Sequence, residues 1–306
     1  TAWLNVSAGS RVMVQGSFID RSGASTSLGG MIAGSVSVLN STWRNLTATH
    51  PDGTAGVLLR GGEVILSRTS LYDCNVAFTL SSGNLTLVDS LVAGCATAMA
   101  LGDQNLSGSV VLSVRQTVFV ATGELFAAAC SFCTGNLTVQ VEDVEFVQSP
   151  RARGALLNVT GTARFDAVRT RFERVNVTAP NISLQMFYDQ VAVDISAVTL
   201  DVTVRNSSLL GDFGWLALFY IKAFDASSSR FLFEDSIARA YGGAYVYVEP
   251  PATPPSMAPR FDMIIRRSDL GTAGFVTPPA RTLRAEDATF GTLSFGFPVQ
   301  SPLEGG

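Results

Sequence analysis

The sequence predicts an all-β solenoid, formed as a single domain over residues 1–306. Two observations predict this fold: a strand-and-anchor pattern that recurs about every 27 residues, and the lack of a sustained helical stripe in any segment. A third observation, the placement of asparagine in glycosylation sequons, indicates passage through a secretory compartment.

Each repeat contains an alternating apolar strand and then a bulky apolar anchor, four or five residues after the last strand residue, as in Val36-x-Val38 before Trp43. The anchors lie 20 to 37 residues apart, with a mean of 27. They are Phe18, Trp43, Leu71, Leu91, Phe119, Phe146, Phe172, Leu209, Ile237, Leu270 and Phe290. Units this short hold two or three strands, which is typical of a β-solenoid, whereas a propeller blade needs about 40 residues. About eleven coils are expected, forming a rod on the order of 50 Å long.

The clearest unit is the segment 61–77, which reads GGEVILSRTSLYDCNVA. It resembles one turn of the pectin-lyase-like and polymorphic-adhesin families, and the likeness recurs in degenerate form along nearly the whole chain. The resemblance implies a right-handed parallel β-helix. It leaves function open, because enzymes, adhesins and structural fibres share this fold.

Ten of the eleven asparagines lie in N-x-[Ser/Thr] sequons, where a Ser and Thr content of 57 in 306 residues gives about two by chance. The acceptors are Asn5, Asn40, Asn45, Asn84, Asn105, Asn136, Asn158, Asn176, Asn181 and Asn206. In eight of them the middle residue is apolar. Strand alternation should bury that residue and leave the asparagine and the hydroxyl on the outer face.

The sequons are unevenly distributed along the chain. Asn84, Asn105 and Asn136 precede the first strand of their repeats and should share one side of the rod, whereas no asparagine follows Ser208. The bare C-terminal third has two explanations: a partner or the next subunit covers it, or the composition simply drifts.

The four cysteines fit an oxidising compartment. Cys74 and Cys95 follow their anchors by three and four residues, so the repeat should stack them and allow a disulfide between adjacent coils. Cys130 and Cys133 form a CxxC, for which we favour a local disulfide at a corner over metal or redox chemistry.

Composition excludes several classes of partner. The net charge of −4 and the pI near 5.1 argue against a nucleic-acid-binding protein. The sequence contains no uninterrupted stretch of about eighteen apolar residues, so it predicts no membrane span. The first residues do not read as a signal peptide, and together with the sequons this favours a mature or excised secreted product.

Catalytic motifs are not recognisable, so we predict no catalytic residues, no metal and no cofactor other than covalent glycans. Acid pairs occur at Glu142-Asp143, Glu234-Asp235 and Glu286-Asp287. They come from separate repeats, so we interpret them as solvated corners rather than a paired acid. The single histidine, His50, lies in a predicted turn, and the motifs of pectin-degrading relatives do not match.

A proline-rich insertion covers residues 249–259. It should be extended, and it resembles O-glycosylated, hydroxyproline-bearing segments of plant and algal wall proteins; a plain surface loop is the alternative. Nearby, Tyr241, Tyr245 and Tyr247 form a possible contact patch for sugar or protein, with ordinary packing as the alternative.

The sequence therefore predicts a secreted, heavily N-glycosylated structural or adhesive protein of a cell surface, matrix or filament, alone or within a longer chain. Expected partners are further copies or other extracellular proteins. The alternatives are a carbohydrate- or protein-binding module and, less favoured, a polysaccharide lyase or hydrolase.

Overall fold

The structure is a computed structural model that describes residues 4–20, 30–45, 57–101, 108–122, 124–128, 135–147, 157–159, 172–180, 182–186, 193–211, 219–223, 229–240, 244–248, 261–276 and 282–295. None of these residues lies in a helix, so the described chain is all-β. The first strands are β1 (Leu4–Val6), β2 (Arg11–Gln15), β3 (Phe18–Asp20), β4 (Gly30–Ile32), β5 (Ser35–Leu39), β6 (Thr42–Arg44), β7 (Val57–Ser67), β8 (Ser70–Tyr72), β9 (Val76–Val88), β10 (Leu91–Ala93), β11 (Thr97–Leu101), β12 (Val110–Arg115), β13 (Val118–Val120) and β14 (Glu124–Ala128).

The chain continues with further strands of similar length. They are β15 (Asn136–Glu142), β16 (Val144–Val147), β17 (Leu157–Val159), β18 (Phe172–Pro180), β19 (Ile182–Met186), β20 (Val193–Arg205), β21 (Ser208–Gly211), β22 (Phe219–Ala223), β23 (Ser229–Glu234), β24 (Ile237–Ala240), β25 (Ala244–Val248), β26 (Phe261–Arg266), β27 (Asp269–Val276), β28 (Thr282–Glu286) and β29 (Thr289–Phe295).

Strand pairing is parallel throughout and follows three columns, which we call first, second and third. The first column contains β2, β5, β7, β9, β12, β15, β18, β20, β23, β26 and β28. The second contains β3, β6, β8, β10, β13, β16, β19, β21, β24, β27 and β29. The third runs from β1 and β4 through the first halves of β7 and β9 to β11, β14 and β17, and on to β25. One strand from each column makes a row, and this stacking is compatible with a β-helix.

The core is built from inward-facing positions that repeat from row to row. On β5 the burial pattern alternates, with Val36 and Val38 buried between half-buried residues, because successive side chains of a strand point to opposite faces. Large side chains fill the interior, including a stacked pair, Phe119 and Phe146, with ring centroids 4.6 Å apart. Each fully buried residue of this size stabilises the fold by about 1.5–3 kcal/mol.

The anchors fall in the second column, and four of the predicted ones are corrected. Phe18 is 67% exposed and Ile237 is 42% exposed, because the register places Ile19 and Ala238 at the inward position instead. Val92 likewise replaces Leu91, and Phe172 begins a first-column strand while Leu184 occupies the anchor position. The errors at Phe18, Leu91 and Ile237 share one cause: the corner between strand and anchor reverses which neighbour points inward, and residue size alone does not reveal that. Phe172 was assigned to the wrong column.

That corner has a fixed backbone conformation. The residue after each first-column strand adopts a left-handed φ of 45–60° in nearly every described row, which turns the chain into the second column. Asn, Asp and Gly tolerate this region best, and they hold most of the positions. The corner residues are Gly16, Asn40, Arg68, Asp89, Gln116, Asp143, Asn206, Asp235, Arg267 and Asp287.

A column of hydroxyl groups follows the corner. Ser41, Thr69, Ser90, Thr117, Ser207, Ser236 and Ser268 are all buried. Each hydroxyl donates to the carbonyl oxygen two residues earlier, as Ser236 Oγ does to Glu234 O at 2.7 Å. It can also accept from the preceding row, as Ser236 Oγ does from the Ser207 N–H at 3.0 Å. The column thus satisfies backbone groups that the turn removes from the strand ladder.

Candidate functional site

The outer faces of the first and third columns carry the strand sequons. Asn5, Asn84 and Asn136 are exposed, whereas the middle residues of the same sequons, such as Leu85 and Leu137, are fully buried. The predicted orientation is confirmed at these positions. An exposed asparagine beside a buried apolar residue has a fixed direction, because the strand ladder holds the backbone on both sides.

A second class of sequon lies at the corners. Asn40 and Asn206 have left-handed φ of 47° and 48° and are exposed. Their middle residues, Ser41 and Ser207, belong to the buried hydroxyl column. This explains the two sequons whose middle residue is polar: asparagine suits the left-handed corner, and the hydroxyl serves the turn.

The structure describes the remaining sequon asparagines to different extents. Asn45 is half-buried at a left-handed position in a second corner, and its side-chain amide donates to Asp20 Oδ1 at 2.7 Å. Asn176 lies on β18 in register with Thr138, the hydroxyl residue of the Asn136 sequon, so these two sequons occupy neighbouring rows. Asn158 lies on β17. Asn105 and Asn181 lie outside the described residues, so the predicted shared side is seen for Asn84 and Asn136 alone.

The cysteine prediction is confirmed for one pair. Cys74 and Cys95 form a disulfide with a Cα–Cα distance of 4.4 Å, and both are buried. Each follows a left-handed corner residue, Asp73 or Gly94, by one position. Cys130 and Cys133 lie outside the described residues.

Beyond the last sequon the outer face carries charge instead. Side chains of alternating sign follow one another through four successive rows at the end of the first column: Arg205, Glu234, Arg266 and Glu286. The guanidinium of Arg266 lies 3.3 Å from Glu234 Oε1 and 2.7 Å from Glu286 Oε2. We call this set the charged column. It begins in the same row as Asn206.

Glu234 is the central member of the charged column. Its side chain is only 11% exposed, and it contacts Arg205 at 3.0 Å and Arg267 at 2.9 Å in addition to Arg266. A carboxylate that is removed from water needs such partners, because an unpaired buried charge is strongly destabilising. Its three arginines retain 35–55% side-chain exposure, so they reach solvent at their outer edges.

The neighbouring corner column contributes a second pair. Arg267 donates to Asp235 through Nε at 2.6 Å and Nη2 at 2.8 Å, a two-point geometry that suits guanidinium and carboxylate. This hydrogen bond holds the pKa of Asp235 below its usual 3.8. The same contact raises the pKa of Arg267, and a hydrogen bond to Glu286 raises that of Arg266.

The acid pairs take two different roles. Their aspartates, Asp143, Asp235 and Asp287, are exposed corner residues, as predicted. Their glutamates are not simply solvated: Glu142 lies 3.5 Å from Arg115, and Glu234 is buried among three arginines. Carboxylates held by arginine in adjacent rows are poorly placed to share a proton or activate water. Within the described ranges, no group of three or more His, Cys, Asp or Glu side chains is arranged to hold a metal ion.

A shallow groove of about 300 Å³ crosses the first three rows on the outer face. Its floor is backbone, since Gly34 and Gly62 sit where a Cβ would strike a carbonyl oxygen of the preceding row. Arg11 and Glu63 flank it in register, with Ser35 between them. The Gly61-Gly62 motif therefore serves close packing of the rows.

Other predicted features cannot be placed. Tyr241, His50 and residues 249–259 lie outside the described residues. Tyr245 and Tyr247 lie on β25, where the backbone alone is described.

Sequence reasoning missed the hydroxyl column and the charged column. The first had a readable signal, a polar residue followed by Ser or Thr between strand and anchor, as in Arg68-Thr69, Gln116-Thr117 and Arg267-Ser268. The charged column has no such signal within a single repeat. Its charges alternate in sign only between rows, and those residues lie about 20 to 32 positions apart in the sequence.

The part of the chain that the structure describes includes no helix able to cross a membrane. Comparison of the chain with protein-family models, with curated proteins and with solved structures finds no match. The likeness to pectin-lyase-like and adhesin repeats therefore remains a prediction from the sequence, supported at the level of parallel all-β architecture.

Proposed function

We propose that this chain is a rod-like structural or adhesive module of an extracellular assembly, built as a closed right-handed β-helix of about eleven coils and N-glycosylated on its outer face. It has no catalytic role in this proposal. Its partners are further copies or other surface proteins.

The observation that carries the proposal is the exposure of the strand sequons. Asn5, Asn84 and Asn136 point outward from fixed strand positions while their apolar middle residues form core. Strand alternation turns the polar residues of any such triplet outward, so the exposure makes these acceptors accessible, and the excess of sequons over chance supports their modification. The Cys74–Cys95 disulfide supports the same compartment, because such bonds persist in oxidising surroundings.

The proposal is tested by secreting the 306-residue chain from a eukaryotic host and mapping occupied acceptors by mass spectrometry after enzymatic deglycosylation. Occupancy is expected at the exposed acceptors Asn5, Asn84 and Asn136. Asn75 is the internal control, since it lies outside a sequon and should be unmodified. A secreted, folded chain with all these sequons empty contradicts the proposal.

A binding module is the second candidate, and the groove across the first three rows favours it. Neutral and charged oligosaccharides would be screened against the chain by calorimetry. Saturable binding that is lost in Arg11→Ala and Glu63→Ala, but retained in Arg68→Ala outside the groove, would support this alternative. Release of reducing ends from a polysaccharide would instead support an enzyme.

A further inference from the structure

Exposed apolar side chains lie on the outer face of the second column. Val120, Leu210 and Ile237 stand on this face with 38–42% of their surface in solvent. Apolar residues predominate on four neighbouring strands, β8, β10, β13 and β16, and we call the outer surface of these four strands the lateral face. Its outward residues are all exposed or half-buried: Ser70, Tyr72, Leu91, Ala93, Val118, Val120, Glu145 and Val147.

The lateral face carries no glycosylation acceptor. The segments 68–73, 89–94, 116–121 and 143–147, which form the face and its edges, contain no asparagine. The strand acceptors of the same rows, Asn84 and Asn136, lie on the first column instead. Sugars attached there belong to a different face, so the lateral face stays accessible to a partner.

One edge of the lateral face is polar. It is formed by the left-handed corner residues that lead into the four strands, all of them exposed: Arg68, Asp89, Gln116 and Asp143. A cation begins this series in the row of β8, and an anion ends it in the row of β16. An edge with opposite charges at its two ends can face its own copy when that copy runs in the opposite direction.

We infer that the lateral faces of two copies of this chain pack against each other about a twofold axis that lies between β10 and β13 and runs parallel to the strands. The axis places β10 opposite β13 of the second copy and β8 opposite β16, so the two stacks of rows run in opposite directions. This inference rests on the proposed structural role, for which it names the surface and the partner.

The residues that meet across this axis are compatible at every position of the lateral face and its polar edge. Each pair joins opposite charges, a hydrogen-bond donor and an acceptor, or two apolar side chains, and the symmetry makes each pair occur twice. The pairs are Arg68 with Asp143, Gln116 with Asp89, Ser70 with Glu145, Leu91 with Val118, Ala93 with Val120, and Tyr72 with Val147.

The charges also select the position of the axis. An axis on β10 would place Asp89 against the Asp89 of the second copy, and an axis on β13 would place Asp89 against Asp143. Both arrangements bring like charges together, which is unfavourable at an interface. A surface that is complementary to itself in one register is what a symmetric contact between two identical chains requires, whereas an unrelated partner needs no such symmetry.

The contact is small, so it is expected to be weak. A face five residues wide, including the corner residues, and four rows tall measures about 17 Å by 19 Å, or roughly 300 Å² on each copy. Interfaces of this size form transient contacts. A weak lateral contact suits an assembly in which several such contacts act together.

Exchanging the two edge charges tests the register. Arg68 and Asp143 lie three rows apart within one chain, or about 14 Å at the usual strand spacing, which is too far for an ion pair. Arg68→Asp and Asp143→Arg should each weaken self-association of the secreted chain by a factor of about five or more, because each puts like charges together at two places. R68D/D143R should return to within a factor of about two of wild type, since the opposite charges meet again. Sedimentation equilibrium measures all four proteins.

Mixing gives a second readout. An equimolar mixture of the two single variants should associate more tightly than either variant alone, because each chain then supplies the charge that the other needs. Asp201→Arg, at an exposed position of the first column, is the control and should change association by less than a factor of about two. Arg and Asp each occupy other left-handed corners of this chain, at Arg267 and Asp89, so the exchanged residues suit the fold.

Three results of the exchange overturn the inference. They are single variants that associate as wild type does, a double variant that does not recover, and a wild-type chain that stays monomeric up to about 0.5 mM.

Val120 tests the apolar part of the contact. Val120→Lys places an ammonium group opposite Ala93 of the second copy and should weaken self-association by a factor of about ten or more. Gln140→Lys, at an exposed position of the first column, should change it by less than a factor of about two. Equal effects of the two substitutions contradict a contact through the lateral face.

Failure here is distinguishable from failure of the proposed function. Occupied sequons without self-association through the lateral face remove the twofold contact alone. Empty sequons in a secreted chain remove the extracellular proposal, whatever the lateral face does.

Discussion

Cys74 and Cys95 occupy the same position in two successive rows, one residue after a left-handed corner, and their bond joins the rows along the stacking direction. The backbone supports the same register, because the Asp73 N–H donates to Ala93 O at 3.0 Å. In the following row Thr122 takes this position, and its hydroxyl donates to Val92 O at 3.3 Å. At this position the first two rows are therefore joined by a disulfide bond, and the next two rows are joined by a hydrogen bond.

Removing this disulfide should lower stability measurably. It closes a loop with a sequence separation of 21, and C74S/C95S should reduce the free energy of unfolding by about 3 kcal/mol because the unfolded chain gains freedom. Urea unfolding followed by circular dichroism measures this. Thr122→Ser keeps a hydroxyl in the same column and should cost only about 0.5–1.5 kcal/mol, the loss expected for one buried methyl group. An unchanged midpoint in C74S/C95S contradicts the prediction.

Neutralising Glu234 should destabilise the C-terminal rows. Glu234→Gln leaves three arginines close together without their shared carboxylate, and we expect a loss of about 1–3 kcal/mol in the free energy of unfolding. Glu142→Gln is the matched control, since Glu142 ends a first-column strand three rows earlier yet is 47% exposed, and its one ion pair among the described residues is with Arg115. Its effect should stay below about 0.5 kcal/mol. Similar losses in both variants would show that burial of Glu234 is unimportant.

The Asp235–Arg267 pair should make stability depend on acid pH. Because the folded pKa of Asp235 lies below its usual 3.8, the carboxylate contributes stability above that value and loses it as the pH falls through the folded pKa. Asp235→Asn should lower the melting temperature at pH 7, and the difference from wild type should shrink as the pH falls below 3.8 and the carboxylate becomes protonated.

A double-mutant cycle with Arg267→Gln isolates the pair. Coupling between the two substitutions is expected at pH 7 and should weaken as the pH falls below 3.8. Coupling that is independent of pH would contradict the assigned cause.

Ser236→Ala should cost more than its size suggests. The hydroxyl is 2% exposed, and its loss leaves the buried N–H of Ser207 without that acceptor, for which we expect a loss of about 1–3 kcal/mol. Ser37→Ala, at an outward and half-buried position of β5, is the control and should be near neutral. Chemical denaturation of both variants measures the difference. A neutral Ser236→Ala would mean that the hydroxyl column is dispensable.

Much of the architecture was readable in advance. The alternation of Val36, Val38 and their counterparts predicted strands, because a strand buried on one face alternates, and their recurrence predicted stacked rows. The family resemblance implied that the rows are parallel. The offset of Cys74 and Cys95 from nearby anchors predicted their bond, and the apolar middle residues of the sequons predicted exposed acceptors. These inferences depend on spacings between residues along the chain, which can be read directly from the sequence.

The anchors show where that reasoning stops. Phe18 and Ile237 are the bulkier neighbours of Ile19 and Ala238, yet they face outward. Whether a residue after the corner points in or out depends on the left-handed φ of one preceding residue, a conformation that several residue types adopt here.

By itself, the sequence determined the repeat, one disulfide and the outward direction of the strand sequons, because these depend on side-chain alternation and on the spacing between repeats. Only the tertiary structure decided the charged column, the buried hydroxyl column and which of two neighbouring anchor candidates faces inward. Those depend on stacking, which brings residues 20 to 32 positions apart to neighbouring strands, and on corner geometry that sets the register between them.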